Sequence, residues 1–234
     1  SVGATGTTAA NRIAKEADLI IGIGTRYSDF TTASRTAFQN PNVKFININI
    51  ASFDAHKHGS AIPVVADARE TINELIPALS GFIVASELSN RIKNEVEFWN
   101  KTVDEAFVDK KLAKPSQTEI IGAVNSASDP KDIVICAAGS LPGDLHKLWR
   151  TRDPLGYHVE YAFSCMGYEI AAGVGISRWA KDRTPIVMVG DGSYLMMHTE
   201  IVSAVAEGLK FIIVLIQNHG FASIGHLSES IGSQ

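Results

Sequence analysis

Basic charge is in short supply in this sequence. Its 234 residues hold 21 Lys and Arg against 25 Asp and Glu, a formal net charge of −4, and the pI is about 6.0. Nucleic-acid binders usually carry a basic patch or stripe, so no nucleic-acid partner is expected. Cysteine is scarcer still, with only Cys136 and Cys165, each in an apolar run of sequence. That excludes a disulfide framework and suits a reducing compartment, so a cytoplasmic location is expected. No apolar run approaches the roughly 18 residues of a membrane-spanning helix, and no membrane partner is expected. The P-loop pattern G-x-x-x-x-G-K-[ST] is missing. Gly22-Ile23-Gly24 follows an apolar run, but Tyr27 stands where the third glycine of a dinucleotide fingerprint belongs. A Rossmann-type nucleotide site built on Gly22 and Gly24 is therefore the weaker reading. What remains, 45% hydrophobic and 20% charged, is ordinary for a globular chain.

Along the chain, helical and strand-like periods alternate. Residues 7–17 place Ala10, Ile13, Ala14 and Ala17 at helical spacing. Residues 18–24 form a short continuous apolar run, the pattern of a buried parallel strand. Strands are expected at 43–50, with period-two alternation, and at 62–66, followed by a helix over 69–79. Residues 87–115 are charge-rich, with Leu88, Ile92, Val96 and Trp99 on one face, which predicts an amphipathic helix ending before Pro115. Beyond it come helices at 118–126, 167–179 and 199–207, and strands at 132–137, 157–161, 185–189 and 210–217. After Asn218 the Gly- and Ser-rich stretch predicts no closing helix or strand. This alternation defines an α/β fold with two doubly wound parallel sheets.

The strongest chemical signal is Gly190-Asp191-Gly192-Ser193 at one strand end and Asn218-His219-Gly220 at the next, with Asp191 and Asn218 27 residues apart. One helix and one strand fill that interval, which sets the two strand ends side by side where parallel sheets bind ligands. A carboxylate, an amide oxygen and loop carbonyls are hard ligands suited to Mg²⁺ with phosphates. The backbone N–H groups of Gly192 and Ser193, at a helix start, suit a diphosphate. Other candidates are weaker. His56-x-His58 has no acidic or thiol partner close in sequence. His146, His158 and His198 are scattered, and His219 is as readily a solvent-facing loop residue as a substrate-facing one. Nothing in spacing selects Glu160 or Glu169 for acid–base work. Ser140 lies in GSLPG rather than G-x-S-x-G, so no nucleophile elbow is supported. Met166, from sequence alone, reads as core packing.

The GDG-to-Asn pattern resembles the signature of the thiamine diphosphate-dependent enzymes. That resemblance implies Mg²⁺ held by Asp191, Asn218 and the Gly220 carbonyl, with His219 replacing a usual second Asn. It implies diphosphate contacts from Gly139 and Ser140, and from Gly190, Gly192 and Ser193. It also implies that Met166 wedges the cofactor into a bent shape while the Ser164 carbonyl accepts from the aminopyrimidine. AGSLPGDLHKLWR at 138–150, YHVEYAFSCMGYEIA at 157–171, VGDGSYLMMHTEI at 189–201 and ADLIIGIGTRYSDFTTASRTAF at 17–38 look like the trihydroxycyclohexane-1,2-dione hydrolases of inositol catabolism. The segment NHGFASIGHLSES departs somewhat from that group.

The resemblance implies a hydrolase that cleaves a C–C bond of a small cyclic 1,2-dione, working as a homo-oligomer, dimer or tetramer. Flavin is not expected. An acetolactate synthase-like or 2-oxo acid decarboxylase member of the family is the alternative, as is a non-catalytic cofactor-binding piece. Residues 1–80 would be the latter part of the central domain, 81–116 a linker and 117–234 a truncated diphosphate-binding domain. The catalytic glutamate that acts on the aminopyrimidine is expected outside the chain, in an N-terminal domain. The chain is thus expected to be a fragment, inactive alone.

Overall fold

The computed structural model describes residues 1–234 apart from Asp109, Leu112, Tyr161, Ile231, Ser233 and Gln234, and leaves aside the side chains of His226, Leu227 and Ser230. The described residues divide into two units, Ser1–Val103 and Asp104–Gln234.

The first unit opens with α1 (Thr8–Glu16), started by Thr7, whose hydroxyl accepts from the Ala10 N–H. Then come β1 (Leu19–Ile23), the short turn α2 (Asp29–Thr32), β2 (Lys44–Asn49) and α3 (Ser52–Ala55). A 3₁₀ turn at Lys57–Gly59 leads to β3 (Ile62–Val65), α4 (Ala68–Ala78) and α5 (Ser86–Phe107), which carries the chain across the division. The strands pair in parallel in the order β1-β2-β3, with Ile21 opposite Ile46 and Ile48 opposite Val64.

One expectation is corrected in this sheet. The run at 18–24 is not buried throughout. As an edge strand, β1 alternates: Gly22 is buried, while Leu19, Ile21 and Ile23 share an exposed face. In β2 the polar members of the alternation face inward, not to solvent. Asn47 and Asn49 are buried, and each amide is paired. Asn47 accepts from Tyr27 Oη at 2.7 Å and donates to the Lys57 carbonyl at 2.8 Å. Asn49 donates to the Thr25 carbonyl at 3.0 Å and accepts from the Ala51 N–H at 3.0 Å. These bonds offset the cost of burying an amide.

The second unit contains α6 (Gln117–Ala127), β4 (Ile133–Cys136), α7 (Leu141–Leu148), β5 (Tyr157–Val159), α8 (Tyr168–Trp179), β6 (Pro185–Gly190), α9 (Asp191–Met197), α10 (Glu200–Ala206), β7 (Ile212–Ile216) and α11 (Ala222–Ser230). Its sheet is parallel in the order β5-β4-β6-β7. The central strands are buried on both faces. Ile133 and Ile135 of β4, and Val187 and Val189 of β6, pack with Ile170 and Ala172 of α8. The expected strand at 157–161 is Tyr157–Val159, and Tyr161 lies outside the described residues.

Three helices here carry no clear sequence signal. Leu141, Leu145 and Leu148 of α7 are buried at helical spacing, but Pro142 and Gly143 mask the pattern. α9 opens at Asp191 itself. α11 overturns the expectation of an unstructured end. Its Gly225 and serines are poor helix formers, but Phe221, just ahead of it, lies over Gly192. A Cβ on Gly192 would come within 2.7 Å of that ring, so packing anchors the helix start. Cys136 is buried, whereas Cys165 is exposed rather than enclosed by apolar neighbours, because its loop runs along the surface ahead of α8. Among the described residues no helix is long and apolar enough to cross a membrane.

Candidate functional site

From β4 the chain steps to β5 on one side, then returns to form β6 on the other. Such a reversal leaves a crevice at the carboxyl ends of the two central strands, the ordinary ligand site of open parallel sheets. Here it is an open cleft. Gly139 and Ser140 line it from beyond β4, Ser164 and Met166 from ahead of α8, and Gly190, Gly192 and Ser193 from the β6–α9 turn. Asn218 and Gly220 line it from beyond β7. β6 and β7 are direct neighbours, with Gly190 opposite Ile216, which brings Asp191 next to the Asn218 loop.

Asp191 is fixed by two backbone donors. Its Oδ1 accepts from the Gly192 N–H at 2.9 Å and its Oδ2 from the Gly220 N–H at 3.1 Å. One terminal atom of the Asn218 amide lies 2.9 Å from Asp191 Oδ1 and 2.8 Å from the Gly220 carbonyl oxygen. With nitrogen in that place the amide donates to both. With oxygen there, it faces the Asp191 and Gly220 oxygens at those distances. Adjacent oxygens around an octahedral Mg²⁺, with metal–oxygen bonds of 2.0–2.1 Å, stand about 2.9 Å apart. A half-turn of the Asn218 amide therefore converts a hydrogen-bonded loop into a donor set that fits a small hard cation. Among the described residues no group of three or more His, Cys, Asp or Glu comes together; the donors here are one carboxylate, one amide and one carbonyl.

Strained backbone occurs in the cleft wall at Ser164 and just outside it at His219. Ser164 and His219 are non-glycine residues in the left-handed region, with φ of 55° and 67°, a conformation that costs about 1–2 kcal/mol and concentrates at functional sites. The Ser164 loop is gathered by Glu160, which accepts from the Phe163 N–H at 3.1 Å and the Cys165 N–H at 2.7 Å. The Cys165 bond above all holds the Glu160 carboxyl below its ordinary range. Gly167, next along, is left-handed at φ 90°, and a Cβ there would lie 2.6 Å from Met197 Cγ. Only glycine lets α9 sit against the start of α8.

Sequence reasoning missed several members of the site. Gln117 lines the cleft and donates to Asp144 at 2.6 Å. Phe221, Ala222, Ser223 and Ile224 close one side. No spacing rule points to them: Gln117 opens a foreseen helix but is far in sequence from the other site residues, and 221–224 enter through the start of α11, which was not foreseen. Glu169 lies buried beside it and bonds Ser193. His219 is exposed and is not among the cleft's lining residues.

The remaining sequence candidates take other parts. His56 Nδ1 lies 2.8 Å from the Ser52 carbonyl, and His58 stacks on Phe45 with ring centroids 5.5 Å apart. The Gly22-x-Gly24 turn is filled from within the chain at its first glycine. Tyr27 Oη would lie 2.0 Å from a Cβ on Gly22, while nothing lies within 4 Å of one on Gly24. Burial pushes the Tyr27 phenol up to about 12, so it stays a neutral donor to Asn47.

A parallel sheet with a cleft at its switch point, lined by one Asn and a glycine-rich helix start with one Asp bonded beside them, defines a diphosphate-binding α/β protein. The chain belongs to the thiamine pyrophosphate enzymes. Residues 137–234 match the family's C-terminal TPP binding domain and residues 1–75 its central domain. Among curated relatives, 3D-(3,5/4)-trihydroxycyclohexane-1,2-dione hydrolase 2 of Bacillus cereus is 41% identical over 99% of this chain. The 3D-(3,5/4)-trihydroxycyclohexane-1,2-dione hydrolase of Bacillus anthracis is also 41% identical, and that of Bacillus thuringiensis 40% identical, each over 99% of this chain. The chain spans 39% of the length of each of these relatives.

Proposed function

We propose that this chain supplies the thiamine diphosphate- and Mg²⁺-binding part of a hydrolase that opens a small cyclic 1,2-dione, trihydroxycyclohexane-1,2-dione, in inositol breakdown. The convergence of the Asp191, Asn218 and Gly220 oxygens at the switch-point cleft carries the cofactor half of this proposal. The likeness to the Bacillus hydrolases carries the substrate half. Asp191, Asn218 and the Gly220 carbonyl would hold Mg²⁺. Gly190, Gly192 and Ser193, with Gly139 and Ser140 across the cleft, would bind the diphosphate through backbone N–H groups near the start of α9. Met166 would brace the bent cofactor, and the Ser164 carbonyl would accept from its aminopyrimidine. When bound, thiamine diphosphate supplies an electron sink that permits C–C cleavage next to a carbonyl. The metal's role is to anchor the cofactor, not to polarise the substrate.

In this proposal residues 1–80 belong to the central domain, 81–116 are a linker and 117–234 form the diphosphate-binding domain. The glutamate that protonates the aminopyrimidine lies outside these residues, and the working unit is a cytoplasmic homo-oligomer. Titration calorimetry with thiamine diphosphate, with and without Mg²⁺, tests the cofactor half. Wild type is expected to bind only with Mg²⁺, and Asp191→Ala to lose about a hundredfold in affinity, in line with removing one charged metal ligand. Metal-independent binding, or an unchanged variant, would refute it. Turnover of the dione by the 234-residue chain alone would refute the placement of the glutamate.

A further inference from the structure

Glu169 is 1% exposed, and it does not line the cleft. A buried carboxylate is retained only where its oxygens are well hydrogen-bonded. Here Oε1 accepts from the Ala138 N–H at 3.3 Å and from Ser193 Oγ at 3.0 Å. Oε2 accepts from the Gly167 N–H at 3.1 Å and lies 2.9 Å from the same Ser193 hydroxyl. That hydroxyl is engaged a second time, accepting from the Gly167 N–H at 2.8 Å. Glu169 is the second residue of α8, where the positive end of the helix dipole favours a carboxylate.

The three donors come from three separate segments. Ala138 ends the run out of β4 and precedes Gly139. Gly167 follows Met166. Ser193 belongs to the first turn of α9. One side chain thus ties together three stretches of the cleft wall, leaving out Gln117 and the stretch beyond β7. The same bonds turn the Ser193 hydroxyl inward, leaving that residue's backbone rather than its side chain for a ligand.

We infer that Glu169 is the positioning residue of this cleft, setting the placement of Gly139, Met166 and Ser193 relative to one another without touching what binds there. The ligand's identity rests on the thiamine diphosphate proposal, but the coupling of the three segments does not. Glu169→Gln separates shape from charge, because its NH₂ must face one of the donors. Asp153→Asn is the control. It breaks the 2.9 Å pair with Arg183 near the amino ends of β5 and β6, away from the cleft.

Amide hydrogen exchange on the ligand-free chain is the first measurement. Exchange at 137–140, 162–167 and 190–195 is expected to rise about tenfold or more in Glu169→Gln, the effect of losing a charge-assisted hydrogen bond, and to stay within about twofold in Asp153→Asn. Thiamine diphosphate affinity with Mg²⁺ is the second, expected to fall about tenfold or more in Glu169→Gln alone. Should that variant fail to fold, Glu169→Asp, one methylene short of its three donors, is expected to give a smaller rise at the same segments. Unchanged exchange in the folded variant overturns the inference, as does unchanged affinity where wild type binds. If exchange opens as expected but wild type takes up no thiamine diphosphate, the coupling stands and the cofactor proposal falls.

Discussion

Asp191 spends both of its oxygens on backbone N–H groups, one in its own turn and one beyond the neighbouring strand. That locks the carboxylate, so on the proposed metal role little ordering would remain for binding. Gly167 is the other residue whose substitution should be costly for a local reason. Gly167→Ala combines a positive φ with a 2.6 Å approach to Met197. A loss of about 2 kcal/mol or more in a urea melt is expected; a loss near zero would mean that α9 has room to move. The residues of the GDG turn and Asn218 were legible because a βαβ unit fixes their spacing. Glu169 was not, since its partners at 138, 167 and 193 are far apart in sequence and only the folded sheet brings them to one carboxylate.

The helices differ in how openly the sequence announces them. α6 begins with a capping box, in which Ser116 Oγ accepts from the Glu119 N–H and the Glu119 carboxylate accepts from the Ser116 N–H at 2.7 Å. Glu119 also accepts from the Lys110 N–H at 2.7 Å. The Ser116 hydroxyl, followed by these backbone bonds, holds the Glu119 carboxyl below its ordinary value. A depressed folded value means that the stabilisation is complete above the unfolded value, about 4.3, and drains away as pH falls through the folded one. Ser116→Ala is expected to cost about 1 kcal/mol at neutral pH and to flatten the acid limb of stability against pH. A variant whose acid limb matches wild type would argue against this coupling. α7, α9 and α11 were obscured because Pro142, Gly192 and Gly225 interrupt their periodicity, and burial of leucines or of Phe221 outweighs local preference. Strands were clearer, except that composition did not reveal which face of β1 is left open or that the asparagines of β2 turn inward.

Across the chain as a whole, apolar faces remain uncovered. Leu19, Ile21 and Ile23 line the edge of one sheet, and Ile212 and Leu215 the edge of the other; Leu195, Val202 and Val205 stand out from α9 and α10. Exposed strand edges with apolar faces promote pairing with further chains. Sedimentation at rising concentration is expected to show species heavier than the 25.1 kDa monomer, and a strictly monomeric profile would contradict that. The strand order that creates the cleft was not legible, because alternating elements are compatible with several orders. The open loop ahead of α8 has a practical consequence. Cys136 is buried, with its thiol pushed up to about 12 chiefly by burial. Cys165 is open to solvent between the cleft-lining Ser164 and Met166. Desolvation in its loop and the Glu160 carboxylate raise the Cys165 thiol above its usual value, so alkylation should be slow at neutral pH and quicken with added base. A maleimide dye should attach once per native chain and twice in urea, and its rate of attachment should drop when the cleft fills. The protein carries its own occupancy gauge, readable by mass spectrometry without any engineered label.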